Sequence, residues 1–264
     1  MSSFHGVAAA YRRSFATLCA GAIPALLEST ASADVLLDVG CGTGDLALAA
    51  AREGRRVLAV DPDPDMVALS GKAAASADVA DAVEVREAGA PSLPLADASA
   101  AAVTANFVVN HVPDPRATVR DLARVAAPSA PIAMTIWPAT PGPHLAAYGE
   151  AAREAGAVAV PSTRLPEHLD VARSVEGLAS LAEETDLRVR RAEEISWTWR
   201  IPADDLMAGI AGGVGGAGSI HRAQTDAVRA DIETRVRALW SDHATADGLL
   251  AVPITAVLVV AARP

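Results

Sequence analysis

Three glycines stand at alternate positions, Gly40, Gly42 and Gly44, with Asp38 before them and Asp45 directly after, in the run VLLDVGCGTGDLAL. A glycine-rich loop between an apolar run and a helix-like run suggests a site for a nucleotide-like ligand. Its spacing is G-x-G-x-G, whereas a dinucleotide loop wants G-x-G-x-x-G, and Asp45 holds the place of that third glycine. A carboxylate at each end of the loop is a poor environment for pyrophosphate and suits a positively charged ligand, which points to a sulfonium amino acid rather than NAD. The bland alternatives are a tight turn for the glycines and, for Asp45, complementing the positive end of its helix.

The loop must be held by strands and helices, and the pattern supplies them in alternation. Apolar runs of strand length cover about Asp34–Val39, then RRVLAVD, AVEVREA, AAVTANF and PIAMTIW. Helical spacing fills the intervals at about Gly44–Glu53, in PDPDMVALSGKAAA and in DPRATVRDLARVAA. Strands alternating with helices predict an α/β fold, a parallel sheet covered on both faces, with its ligand beyond the carboxyl ends of the first strands. The chain divides further: residues 1–33 read as an N-terminal helical region, 34–137 as the ligand-binding core, and 138–186 and 202–245 as a helical cap inserted into one domain. RLPEHLDVARSVEGLASLAEETDL reads as mostly helical, and LRVRRAEEISWTWRI and LLAVPITAVLVVAARP as late strands. Six glycines between Gly209 and Gly218 predict a mobile connector or a lid.

Composition excludes other classes. Across 264 residues the net charge of −10, with no basic run interleaved with aromatics, argues against nucleic acid as substrate. Two cysteines, Cys19 and Cys41, without His spacing, build neither a disulfide framework nor a metal site. AYRRSFATLCAGAIPALL followed by Ala31, Ser32 and Ala33 has the outline of an export signal. Against that, Tyr11, Phe15, Leu18 and Ala22 recur as in an amphipathic helix packed on a domain, and the longest apolar run is too short and proline-broken to span a bilayer. The expectation is a cytoplasmic protein, monomer or homodimer, without a membrane partner.

DVGCGTG resembles the first motif of the class I S-adenosylmethionine-dependent methyltransferases, and VLAVDPDPDMVALS is similar to their second-strand segment. LPLADAS, NFVVNHVPDP and ARVAAP resemble the successive downstream blocks, in order and at similar spacing, over Val35 to Trp137. The nearest look is to the small-molecule subgroup that includes quinone-biosynthesis enzymes. The resemblance implies a Rossmann-like seven-stranded, mostly parallel sheet with the last strand antiparallel, and S-adenosyl-L-methionine as cofactor. It also implies that Asp61 takes both ribose hydroxyls, each carboxylate oxygen accepting one proton. Met66 would pack beside the adenine, and backbone near Gly89 and Ala90 would replace an acid this chain lacks. Asn106 and Phe107 leave strand four at the ligand rim, and Tyr11 and Arg12 would close over the methionine end.

Methyl transfer demands chiefly an acceptor held in line with the methyl group. An oxygen or nitrogen acceptor also gives up a proton, and among six histidines His111, in NHVPDP beyond strand four, is the candidate base, with His144, His221 and His243 behind it. Trp137, Trp197, Trp199 and Trp240 all lie at or beyond strand five and would line a pocket for a small, mostly apolar molecule, or pack the late strands. The expected activity is methylation of oxygen or nitrogen, with carbon open, on a secondary metabolite. The alternatives are cofactor binding without methyl transfer, in a cyclase or rearrangement catalyst, and an NAD-dependent oxidoreductase.

Overall fold

The computed structural model describes residues 6–161 and 164–264. Residues 1–5 of the expected N-terminal region and 162–163 of the expected first cap insertion lie outside them.

Seven strands form one sheet: β1 (Val35–Val39), β2 (Arg56–Asp61), β3 (Val83–Glu87), β4 (Val103–Asn106), β5 (Pro131–Ile136), β6 (Arg188–Pro202) and β7 (Leu249–Ala262). Their order is β3-β2-β1-β4-β5-β7-β6, with β1 to β5 parallel and β7 antiparallel to both its neighbours. This is the expected α/β sheet with its last strand reversed. The helices are α1 (Ala8–Arg13), α2 (Phe15–Cys19), α3 (Ile23–Ser29), α4 (Asp45–Arg52), α5 (Pro64–Ser76), α6 (Pro115–Val125), α7 (Pro143–Glu154), α8 (Val175–Glu183), α9 (Ala203–Ala211), α10 (Gly215–Arg222) and α11 (Asp226–Trp240).

The strands read as near-continuous apolar runs because both faces are covered, and the pleat sends alternate residues to opposite cores. Leu37, Val60 and Met134 pack with Leu122 of α6 and Leu178 of α8 on one face. On the other, Leu36, Ala59 and Leu258 meet Leu26 of α3 and Leu46 of α4. Side-chain caps start the helices sharply: Asp63 accepts from the Asp65 N–H ahead of α5 and Asp114 from the Ala117 N–H ahead of α6, each followed by a proline.

Beyond this sheet β6 and β7 continue, at 15 and 14 residues, as a two-stranded ribbon. Trp199, Ile201, Val252 and Ile254 of that ribbon build a third core with Tyr148 of α7, Ile210 of α9 and Trp240 of α11. This is the cap. Three expectations change. Of the stretch read as mostly helical, 164–187, only α8 is helix, and Leu178 and Leu181 carry it onto the sheet core instead of the cap. The glycine-rich segment is not one long loop but the end of α9, a short turn at 212–214 and the first half of α10; its glycines allow backbones to touch, since a Cβ on Gly209 would fall 2.1 Å from Ser14 Oγ and one on Gly212 2.4 Å from Ala10 Cβ. The N-terminal helix is broken at Ser14 (φ −125°, ψ −90°), and α2 leads into a 3-10 turn at Ala20–Ala22 before α3. Among the described residues no helix is long and apolar enough to cross a membrane.

Candidate active site

The loop after β1 turns through positive φ at Gly40, Gly42 and Gly44. At Gly44 only glycine fits: φ is +89°, and a Cβ would lie 2.4 Å from Ser70 Oγ. The loop is tied to β2, with Gly40 and Cys41 N–H groups donating to the Val60 carbonyl at 2.8 and 3.0 Å. Gly42 N–H donates to Asp61 Oδ2 and Asp63 N–H to Asp61 Oδ1, both at 2.9 Å. Each Asp61 oxygen keeps a second lone pair, so these bonds orient the carboxylate without exhausting it.

Beside the loop lies a small cavity of about 30 Å³, lined among others by Tyr11, Cys19, Asp38, Gly42, Asp45 and Asn106. None of its lining residues is basic. Asp38 is 1% exposed; its Oδ1 accepts from Thr104 Oγ1 at 3.0 Å, while Oδ2 has no partner among the described residues. Burial, with the charges of Asp61 and Asp45, pushes its carboxyl up to about 7, and the Thr104 bond only partly offsets this. Burial likewise raises the Cys19 thiol to about 12 and the Tyr11 phenol well above its ordinary value, again with Asp45 adding to both. The field here is negative and would welcome a cation.

Tyr11 stands over the glycine loop, its Cε1 3.7 Å from where a Gly42 Cβ would be, and donates to Cys19 Sγ at 3.4 Å. Asn106 Nδ2 donates to the Cys19 carbonyl at 3.2 Å and Asn106 Oδ1 accepts from Thr135 Oγ1 at 2.7 Å, so β4 and β5 hold α2 across the cavity mouth. Asp45, read from sequence as a helix-end complement, heads α4 but also lines the cavity, where its Oδ2 accepts from Thr43 Oγ1 at 2.6 Å. Cys19 was missed as a site residue; its signal was the spacing of eight from Tyr11 along an apolar face.

Met66, Gly89 and Ala90, expected from the sequence on the adenosine side, lie outside the cavity lining. Met66 is buried on the first turns of α5, and Gly89 abuts Pro62, whose Cβ would lie 3.0 Å from a Cβ placed on Gly89. Ala90 follows and packs partly against the sheet core. Three expected site residues are placed elsewhere. Arg12 is exposed and outside the lining, because the break at Ser14 turns that face of α1 to solvent. Phe107, at φ 57°, puts its ring flat on Trp137, centroids 3.7 Å apart, rather than on the rim. His111 stands on the turn after β4, outside the lining. Although it keeps exposed surface, desolvation of its ring and then the Arg173 guanidinium push its pKa down to about 4, far from what a base needs at neutral pH.

On the other side of α2 is an aromatic cluster of the cap. Phe15 lies 6.2 Å from Trp199 and 6.3 Å from His144, and Trp137 lies 6.3 Å from Trp197. Trp199 Nε1 donates to Thr17 Oγ1 at 2.9 Å, and Trp240 Nε1 to the His144 carbonyl at 3.1 Å. The tryptophans therefore divide: Trp240 is wholly buried in the cap core, while Trp199 is bonded to α2 and Trp197 lies against Gly21 in the 3-10 turn that follows it.

Residues 37–134 match the family model described as a methyltransferase domain. An uncharacterized methyltransferase of Mycobacterium sp. (strain JLS) is 35% identical over 122 residues, 46% of either chain. The 27-O-demethylrifamycin SV methyltransferase of Amycolatopsis mediterranei (strain S699) is 33% identical over 167 residues, 62% of this chain and 60% of that one. The match thus spans about half the length of these curated relatives. In fold, the crystal structure of the 4+2 cyclase SpnF superposes with a TM-score of 0.59 at 19% identity, covering 92% of this chain and 80% of that one. With the glycine loop and the acid ending β2 in place, residues 37–134 form a methyltransferase domain of the class I, S-adenosylmethionine-dependent type.

Proposed function

We propose that this protein transfers a methyl group from S-adenosylmethionine to an oxygen or nitrogen, with carbon also open, of a small, mostly apolar molecule. The observation that carries the reading is the convergence of three carboxylates on the glycine loop: Asp38 and Asp45 line a cavity with no basic lining residue, and Asp61 holds the Gly42 N–H beside it. The orphaned Oδ2 of Asp38 fits a cationic ligand and would face its ammonium end. Asp61 would take the ribose hydroxyls, with Met66, Gly89 and Ala90 on the adenine side. Asn106 and Tyr11 would close the methionine end from β4 and α1. When bound, S-adenosylmethionine supplies a methyl group on a sulfonium that is already a good leaving group; the chain's task is to orient the acceptor and exclude water.

A small-molecule acceptor is supported by the aromatic cap and by the Amycolatopsis relative, whose name specifies 27-O-demethylrifamycin SV. The first experiment is titration calorimetry of the full chain with S-adenosylmethionine, S-adenosylhomocysteine and NAD, alongside Asp61→Ala. Micromolar binding of both sulfur ligands, lost in the variant, is the expected result; binding of NAD alone would overturn the reading. A second reading, cofactor binding without methyl transfer, is supported by the lack of a basic residue in the cavity lining and is compatible with the fold shared with SpnF. One S-adenosylhomocysteine released per turnover would exclude it.

A further inference from the structure

The cap holds buried polar atoms that nothing satisfies. His144 is 3% exposed, and neither Nδ1 nor Nε2 has a hydrogen-bond partner among the described residues; the same is true of Tyr148 Oη, one helical turn further along α7, and of Trp197 Nε1. An apolar residue would fill each place at less cost, so each unpaired group asks for a reason. The four atoms do not belong to one core defect. His144 stands edge-on to Trp199 with centroids 5.2 Å apart and 6.3 Å from Phe15, and the Trp197 indole lies against Gly21.

Position gives them a common meaning. Phe15 precedes Ala16 in α2, and Ala16, Cys19 and Ala20 line the donor cavity while Phe15, Thr17 and Gly21 meet the cap cluster. The segment is one wall shared by the two sites. It is short, flanked by the break at Ser14 and the 3-10 turn, and held across its two faces by the Asn106 and Trp199 side-chain bonds. Displacing it would open both sites together. The walls so exposed would be flat aromatic rings, and the polar groups they carry include a neutral imidazole, because burial and then His243 hold His144 down to about 4. At neutral pH that ring offers one donor and one acceptor nitrogen.

Resting on the methyl-transfer reading, we propose that this cluster is the acceptor subsite, that it takes a hydroxylated aromatic molecule between Phe15, Trp197 and Trp199, and that His144 accepts the hydrogen bond of the acceptor's hydroxyl.

The test compares 1-naphthol with 1-methoxynaphthalene, which has the same ring system without the hydroxyl proton, on the full chain with and without S-adenosylhomocysteine. Calorimetry should give 1-naphthol an advantage of about tenfold or more, the scale of one buried hydrogen bond. His144→Phe should abolish the preference and His144→Gln keep part of it, both with unchanged affinity for S-adenosylhomocysteine. In 1H–15N spectra of histidine rings, the signal missing from His144→Gln should move with 1-naphthol only. Equal affinities, no binding of either probe, a preference that survives His144→Phe, or an unmoved His144 signal would each overturn the proposal. Failure of the methyltransferase reading would instead show as no binding of S-adenosylhomocysteine to the wild-type chain.

Discussion

The Gly42 N–H donates to Asp61 Oδ2 at 2.9 Å, joining the loop after β1 to the acid that ends β2. The two motifs therefore act as one unit, since the same carboxylate that sets the loop would hold the ligand's ribose. Asp61→Asn should weaken S-adenosylhomocysteine binding by about ten- to a hundredfold, the range of one or two charge-assisted hydrogen bonds, read by calorimetry. A variant that binds as the wild type does would remove Asp61 from the site.

Asp38 should couple binding to pH. Its carboxyl is raised to about 7, so near pH 7 about half the molecules carry the proton, and a cation at Oδ2 would expel it. Calorimetry at pH 7 in buffers of different ionisation enthalpy should show release of about half a proton per S-adenosylmethionine bound. Affinity should fall about tenfold from pH 8 to pH 6. Asp38→Asn should abolish both effects.

The same group should limit stability. A folded pKa above the free value of about 3.9 means that the native state binds the proton more tightly, so stability falls as pH rises between the two values and through 7. Asp38→Asn keeps an oxygen for the Thr104 hydroxyl and removes the buried charge. Its Tm should exceed that of the wild type at pH 8, with the gap closing by pH 4.

Gly44→Ala combines a left-handed backbone with overlap onto Ser70, whose Cβ and Cα lie 3.2 and 3.3 Å from the added carbon. The expected loss is about 2–4 kcal/mol by denaturant unfolding, from the conformational cost plus overpacking.

Gly209→Ala tests whether the glycines of α9 exist for contact. Its methyl would fall 2.6 Å from Ser14 Cβ, and Ser14 is completely buried. The N-terminal segment should be pushed off α9, seen as faster proteolysis around residues 6–20 and weaker S-adenosylhomocysteine binding through the loss of Tyr11 from the loop. A connector role would leave both unchanged.

The strand, the glycine loop, Asp38 and Asp61 were legible in the sequence because each rests on local chemistry: apolar runs at strand length, positive-φ glycines and an acid at a strand end. The order of motifs carried the sheet topology with them. What only the tertiary structure decided is which side chains meet over long separations. Asn106 reaches Cys19 across 87 residues and Trp199 reaches Thr17 across 182, and these bonds place α2 between the two sites. Arg12 and His111 have the right chemistry for a site, but their exposure depends on a helix break and a turn that no periodicity reports. Glycine composition alone could not tell a loose loop from helices in contact, because the same missing Cβ that frees a chain also lets two backbones touch. Burial of His144 against Trp199 is likewise a property of packing, in which the surroundings rather than the residue type determine whether an imidazole is solvated or left without a partner.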